Sequence, residues 1–177
     1  LLSAGWVWHP WSCLEVFDLT RALSDPSIFD GPGSVFDVRG LIPAEVAGAC
    51  FVPGGVVVGT SPEENEPEGP GDLGPNMLAR WSEDGPGFVW RRRLESTAGD
   101  LIPIGDCVLA LYGHPRLYRA DGELLHEWPD IDTARAFCSF VWDTGFSGPA
   151  GVAVDSEHLR FAVTDGDQVH IISLSDT

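Results

Sequence analysis

The chain has 177 residues, of which 44% are hydrophobic, with 21 Gly and 14 Pro and a formal net charge of −17. That apolar content supports one sizeable core, and Gly and Pro scattered without a collagen-like period suit many short strands better than long helices. The charge argues against a nucleic-acid backbone or an anionic membrane surface as main partner, and no window of about eighteen apolar residues supports a membrane span.

The opening Leu1-Leu2-Ser3-Ala4-Gly5 has neither a charged n-region nor a long apolar segment, so it does not read as a signal peptide. Without a starting Met, the chain is expected to begin inside a longer polypeptide. All ten basic residues are Arg, which together with abundant Ala, Gly and Pro points to a GC-rich, bacterial source. Cys13, Cys50, Cys107 and Cys138 show no Cys-x-x-Cys spacing. They are expected to be reduced, structural thiols in a cytoplasmic protein, with a Cys50–Cys107 or Cys13–Cys138 disulfide as the alternative.

In chain order, residues 1–5 read as a second strand and 14–19 as a third. Between them lies Trp6-Val7-Trp8-His9-Pro10-Trp11, far more aromatic than an ordinary hairpin loop. Residues 19–23 look like a helical turn, followed by a Pro/Gly loop and a fourth strand around 35–38. The next unit has strands at 46–52, 56–60, 78–82 and 88–94, with an Asp84-Gly85 turn. The third has strands at 100–104, 107–112, 116–120 and 123–128, with an Asp121-Gly122 turn. The last has strands at 151–155, 159–164 and 169–174, with turns at 156–158 and 165–167.

Gly55, Asp106 and Glu157 mark equivalent turns, each 51 residues from the last (106 − 55 and 157 − 106). A fixed period of this size indicates stacked supersecondary units that cannot bury their apolar faces alone. Arg80 and Arg119 are only 39 apart (119 − 80), and an acidic, Pro/Gly-rich insertion within Ser61–Asp72 accounts for the missing twelve residues. That insertion is expected to be solvated. The chain therefore divides into an incomplete blade with its connecting loop (1–43), a blade with the acidic insertion at 61–76 (44–95), a third blade (96–146), and a final blade lacking its fourth strand (147–177). The fold class is all-β, with four-stranded antiparallel meanders forming about three and a half β-propeller blades.

The run from Ser147-Gly148-Pro149-Ala150-Gly151-Val152-Ala153-Val154-Asp155 to Val169-His170-Ile171-Ile172-Ser173-Leu174 resembles a WD-repeat blade. Leu1–Gly5 followed by Leu14–Leu19 is similar to the second half of another. The resemblance covers most of the chain and implies a protein-interaction scaffold or sensor, with no catalytic residues or cofactor carried over. Closed propellers have roughly four to eight blades. The remaining blades are therefore expected on the same polypeptide or on a partner chain, with self-association into a homo-oligomeric ring as the second option.

Little else in the sequence carries chemistry. No Gly-x-Ser-x-Gly elbow is present and the five His are dispersed; His9 and His114 precede Pro, and His170 alternates with apolar neighbours. Asp106, Asp121, Asp155 and Asp165 would suit the axial metal site of a propeller hydrolase of lactonase or glycosidase type, which is the alternative function. Asp at strand ends, however, is commonly a turn-former. Arg91-Arg92-Arg93 on an outer strand reads as a charged edge that blocks aggregation. The candidate binding residues for a protein partner are Trp6, Trp8, His9 and Trp11, because exposed Trp clusters make binding hot spots.

Overall fold

The computed structural model describes residues 2–5, 13–17, 34–37, 46–60, 73–82, 87–133 and 151–174. Among these the chain is all-β and forms four antiparallel sheets, each a meander in chain order. The first sheet has β1 (Leu2–Gly5), β2 (Cys13–Phe17) and β3 (Ser34–Asp37). The second has β4 (Val46–Val52), β5 (Gly55–Thr60), β6 (Met77–Ser82) and β7 (Phe88–Arg93). The third has β8 (Leu101–Ile104), β9 (Cys107–Ala110), β10 (Arg116–Arg119) and β11 (Leu124–Glu127). The fourth has β12 (Val152–Asp155), β13 (Arg160–Asp165) and β14 (Gln168–Ser173).

Hairpin chemistry sets each register. Val52 pairs with Gly55 across Pro53-Gly54, with Gly54 at φ 73°, the Pro-then-Gly arrangement of a type II turn. Ile104 pairs with Cys107 across Gly105-Asp106, and Asp155 pairs with Arg160 across a longer four-residue connection. The turn between β4 and β5 thus sits one residue before the expected marker at Gly55, which is already the first residue of β5. Pro103, which has no N–H to donate, stands in β8, an edge strand of its sheet.

Successive sheets meet through their first strands: β1 lies against β4, β4 against β8, and β8 against β12. The second strands of the two inner sheets, β5 and β9, are therefore covered on both faces, and their sequences are apolar without alternation. Val56, Val57 and Val58 of β5 are all no more than 1% exposed, as are Val108, Leu109 and Ala110 of β9. One face of the second sheet buries Val56, Val58, Ala79 and Trp81. Its other face packs Cys50, Val57 and Leu78 against Leu101, Val108, Ala110 and Tyr118 of the third sheet. The opposite face of the third sheet packs Ile104, Leu109, Leu111 and Leu117 against Phe161 and Val163 of the fourth.

The last part of the 61–76 insertion, beyond the Ser61–Asp72 stretch that is expected to be solvated, reaches the core. Leu73 is fully buried with Val56 and Val58, and Gly74 accepts a 2.8 Å hydrogen bond from the Thr60 hydroxyl. An apolar side chain beside an open core surface gains more from burial than its polar neighbours can oppose. Residues 61–72 lie outside the described residues, as do the expected helical turn at 19–23 and the Asp84-Gly85 turn.

Candidate interaction surface

The links between sheets are polar as well as apolar, and they show which groups are committed to structure. The Thr97 hydroxyl donates to the Thr60 carbonyl at 2.8 Å, and the Thr133 hydroxyl donates to the Leu111 carbonyl. Both threonines are buried and both lie after the fourth strand of one sheet, bonding the end of the second strand of that same sheet, so they pin the connection that leaves each sheet. Arg116 is 5% exposed, and its guanidinium donates to the carbonyls of Thr97 (2.8 Å) and Tyr112 (3.2 Å). From the second sheet, the Trp90 indole N–H donates to the Ala120 carbonyl at 2.8 Å, while Arg80 spans Pro53 O at 2.7 Å and Ala120 O at 3.5 Å. Trp128 and Phe161 stack edge-to-face at 5.2 Å between the third and fourth sheets.

The fourth sheet carries the groups that are not committed in this way. At one end, Asp155 closes β12 and gathers the side chains of Arg160 and His158. Arg160 Nε donates to Oδ2 at 2.8 Å, His158 Nδ1 lies 2.9 Å from the same oxygen, and the His158 amide donates to Oδ1 at 3.2 Å. The Arg160 hydrogen bond, followed by those from His158, holds the Asp155 carboxyl down at about 2. An ionised carboxylate only accepts, so His158 Nδ1 carries the proton. Leu159, in the same connection, adopts φ 49° and reaches to within 3.0 Å of where a side chain on Gly105 would begin.

At the opposite end, the Asp132 amide donates to Asp165 Oδ2 at 3.2 Å, and His170 Nε2 stands 3.8 Å from that oxygen. Between these ends, the outer face of the sheet presents Ala153, Ala162, Val169 and Ile171, with Val169 64% and Ile171 74% exposed.

The four carboxylates considered for an axial site do not converge. Asp106 and Asp121 occupy turns at the same strand end as Asp155, whereas Asp165 is at the other end. Among the described residues no three His, Cys, Asp or Glu side chains come together as a metal-ligand set. Cys50 and Cys107 are free thiols, which overturns the Cys50–Cys107 disulfide: Cys50 faces the junction of the second and third sheets, and Cys107 faces the fourth. Burial pushes the Cys50 thiol up to about 12. Arg91-Arg92-Arg93 are exposed on β7, the outer strand of its sheet, with Arg91 resting 4.9 Å over the Phe88 ring.

Trp6, Trp8, His9, Trp11 and Cys138 lie outside the described residues, and Cys13 is placed by its backbone on β2. The Asp155–His158–Arg160 cluster was missed because a turn between strands hides its partners. Its only trace in sequence is the spacing Asp-x-x-His-x-Arg. The exposed pair on β14 was missed because its alternation reads like any half-buried strand. No helix among the described residues is long and apolar enough to cross a membrane. No protein-family model matches the chain, and no curated protein is significantly similar to it.

Proposed function

We propose that this chain is a non-catalytic protein-interaction scaffold or sensor module, built of WD-like β-propeller blades and belonging to a larger bacterial, cytoplasmic protein or complex. The observation that carries the reading is the apposition of successive meander sheets through their first strands, with both faces of β5 and β9 buried. Sheets stacked in this way bury everything except their outer strands, their connecting turns and the faces of the terminal sheets. Recognition by such a module falls to those surfaces. The polar groups described above support the same view. The buried ones bond carbonyls and pin the connections between strands in place.

Two measurements on the purified chain test this. Metal analysis is expected to find no stoichiometric divalent ion, and one bound ion per chain would favour the propeller-hydrolase alternative. Light scattering coupled to size exclusion tests ring completion. A discrete oligomer, or assembly with added partner blades, is expected, and a stable folded monomer near 19.1 kDa would overturn that part of the proposal.

A further inference from the structure

The four described histidines differ in what they offer to solvent. His114 and His170 each hold a buried Nε2 without a hydrogen-bond partner, and the His126 ring lies against Trp128 with centroids 4.6 Å apart. His158 does the opposite. Its side chain is 63% exposed, and both Asp155 oxygens stand within hydrogen-bond reach of Nδ1, Oδ2 at 2.9 Å and Oδ1 at 3.0 Å. Nδ1 therefore holds the ring proton, and Nε2 of the neutral ring keeps a bare lone pair with no partner among the described residues. The turn that carries it is fixed from several sides. The His158 amide bonds Asp155 Oδ1 at 3.2 Å, the Leu174 amide bonds the Leu159 carbonyl at 2.8 Å, and Leu159 leans onto Gly105 of the third sheet. His158 is thus presented at the strand ends, on a turn seated against the third sheet, away from the outer edge of the fourth. Arg160, 53% exposed, spends its Nε on Asp155 Oδ2 at 2.8 Å, and its other N–H groups have no partner among the described residues.

We propose that His158 is a phosphoryl-acceptor site, whose Nε2 takes a phosphoryl group from an activated donor, a phosphoramidate or an acyl phosphate, while Arg160 binds the phosphoryl oxygens. The roles divide as for any imidazole nucleophile oriented by a carboxylate. Asp155 holds the tautomer that turns the lone pair outward, and it offsets the positive charge that develops on the ring as Nε2 bonds to phosphorus. Arg160 brings planar N–H donors of the geometry that phosphoryl oxygens accept. In the transfer the Nε2 lone pair forms the N–P bond while the donor's bond to phosphorus breaks. The leaving group is ammonia from phosphoramidate, already carrying its protons, or acetate from acetyl phosphate. Nε2 has no proton to shed, so the step needs no base. The product adds about two negative charges to a turn that already carries Asp155 and exposed Glu157. A partner that reads this end of the molecule is then switched by charge. The inference goes beyond the interaction-module reading and does not depend on it.

The full chain is incubated at pH 8 with potassium phosphoramidate and, in parallel, with acetyl phosphate, and phosphorylated residues are mapped by tandem mass spectrometry without acid. At least one donor is expected to label His158 at least tenfold faster than His114, His126 or His170, and at least tenfold faster than His158 in the urea-unfolded chain. Phosphorus NMR is expected to show the Nε2-phosphoryl isomer at this residue. Asp155→Asn should slow labelling of His158 at least fivefold, and Arg160→Gln should raise the donor concentration that gives the half-maximal rate. Labelling by phosphoramidate alone assigns the donor to the N-phosphoryl class, and labelling by acetyl phosphate alone assigns it to the acyl phosphates. Labelling by neither overturns the proposal. So does a His158 rate no greater in the folded chain than in the unfolded one, an Nδ1-phosphoryl product, or a rate that Asp155→Asn leaves unchanged. The comparisons within the wild-type chain hold whether or not either variant folds. None of these failures touches the interaction-module reading, which is tested separately by metal content.

Discussion

Asp155 and Cys50 show how one side chain reports on its surroundings. Asp155 ionises at about 2 instead of the ordinary 3.8 because Arg160 and His158 bond its charged form. A carboxyl whose pKa is lowered on folding stabilises above its unfolded value, and the contribution is lost as pH falls through the folded one. Asp155→Asn is therefore expected to be less stable than wild type at neutral pH. The gap in urea midpoint should close between about pH 4 and pH 2, and a gap unchanged across that window would mean the ion cluster is not formed. Cys50 moves the other way, up to about 12, because burial disfavours the thiolate. At pH 8 iodoacetamide is expected to leave Cys50 unmodified in the folded chain and to label it on unfolding, as read by peptide mass mapping. Labelling of native Cys50 at the rate of a free thiol would contradict the packing of the second sheet on the third.

At the scale of elements, one device sets the approach of sheet to sheet and another pins the connection leaving a sheet to that sheet's second strand. Where β4 approaches the connection leading into β8, Gly48 is so close that an added Cβ would lie 2.3 Å from the Gly99 carbonyl oxygen. Gly48→Ala must push the two backbones apart, and a loss of about 1–3 kcal/mol is expected from denaturant unfolding, as for other overpacked sites. The second device is the threonine clamp. Thr133→Val removes the hydroxyl that serves the Leu111 carbonyl in a buried setting, and a loss of about 1–3 kcal/mol is expected. Thr133→Ser should restore most of it. Equal stability of the Val and Ser variants would show that the clamp contributes nothing.

For the molecule as a whole, the sheets share walls, so damage at one junction spreads to both neighbours. Leu109 is fully buried on the face of β9 that meets the fourth sheet, while Val108 and Ala110 on the same strand face the second. Leu109→Ala is expected to cost about 2–5 kcal/mol, the range for a buried Leu truncation that leaves a cavity. Hydrogen exchange should show protection falling in β5 and β13 together. Loss confined to β13 would mean that the sheets unfold as independent units.

Much of this architecture was legible because it is local. Asp121-Gly122 and Gly166 make turns wherever they occur, and the apolar runs of β5, β9 and β13 lie at intervals that repetition makes visible. The all-β class, the meander order and most strand positions follow from turn residues and short-range apolar pattern, which act within a few residues. Burial of Leu73, the separation of Cys50 from Cys107 onto different junctions, and the exposure of Ile171 against the burial of Leu117 were not legible. Each depends on which face of which sheet meets a neighbour, and period-two alternation is the same whether that face is covered or open. Residue pattern sets the strands and their turns; the stacking of one sheet on the next decides which side chains remain available for recognition.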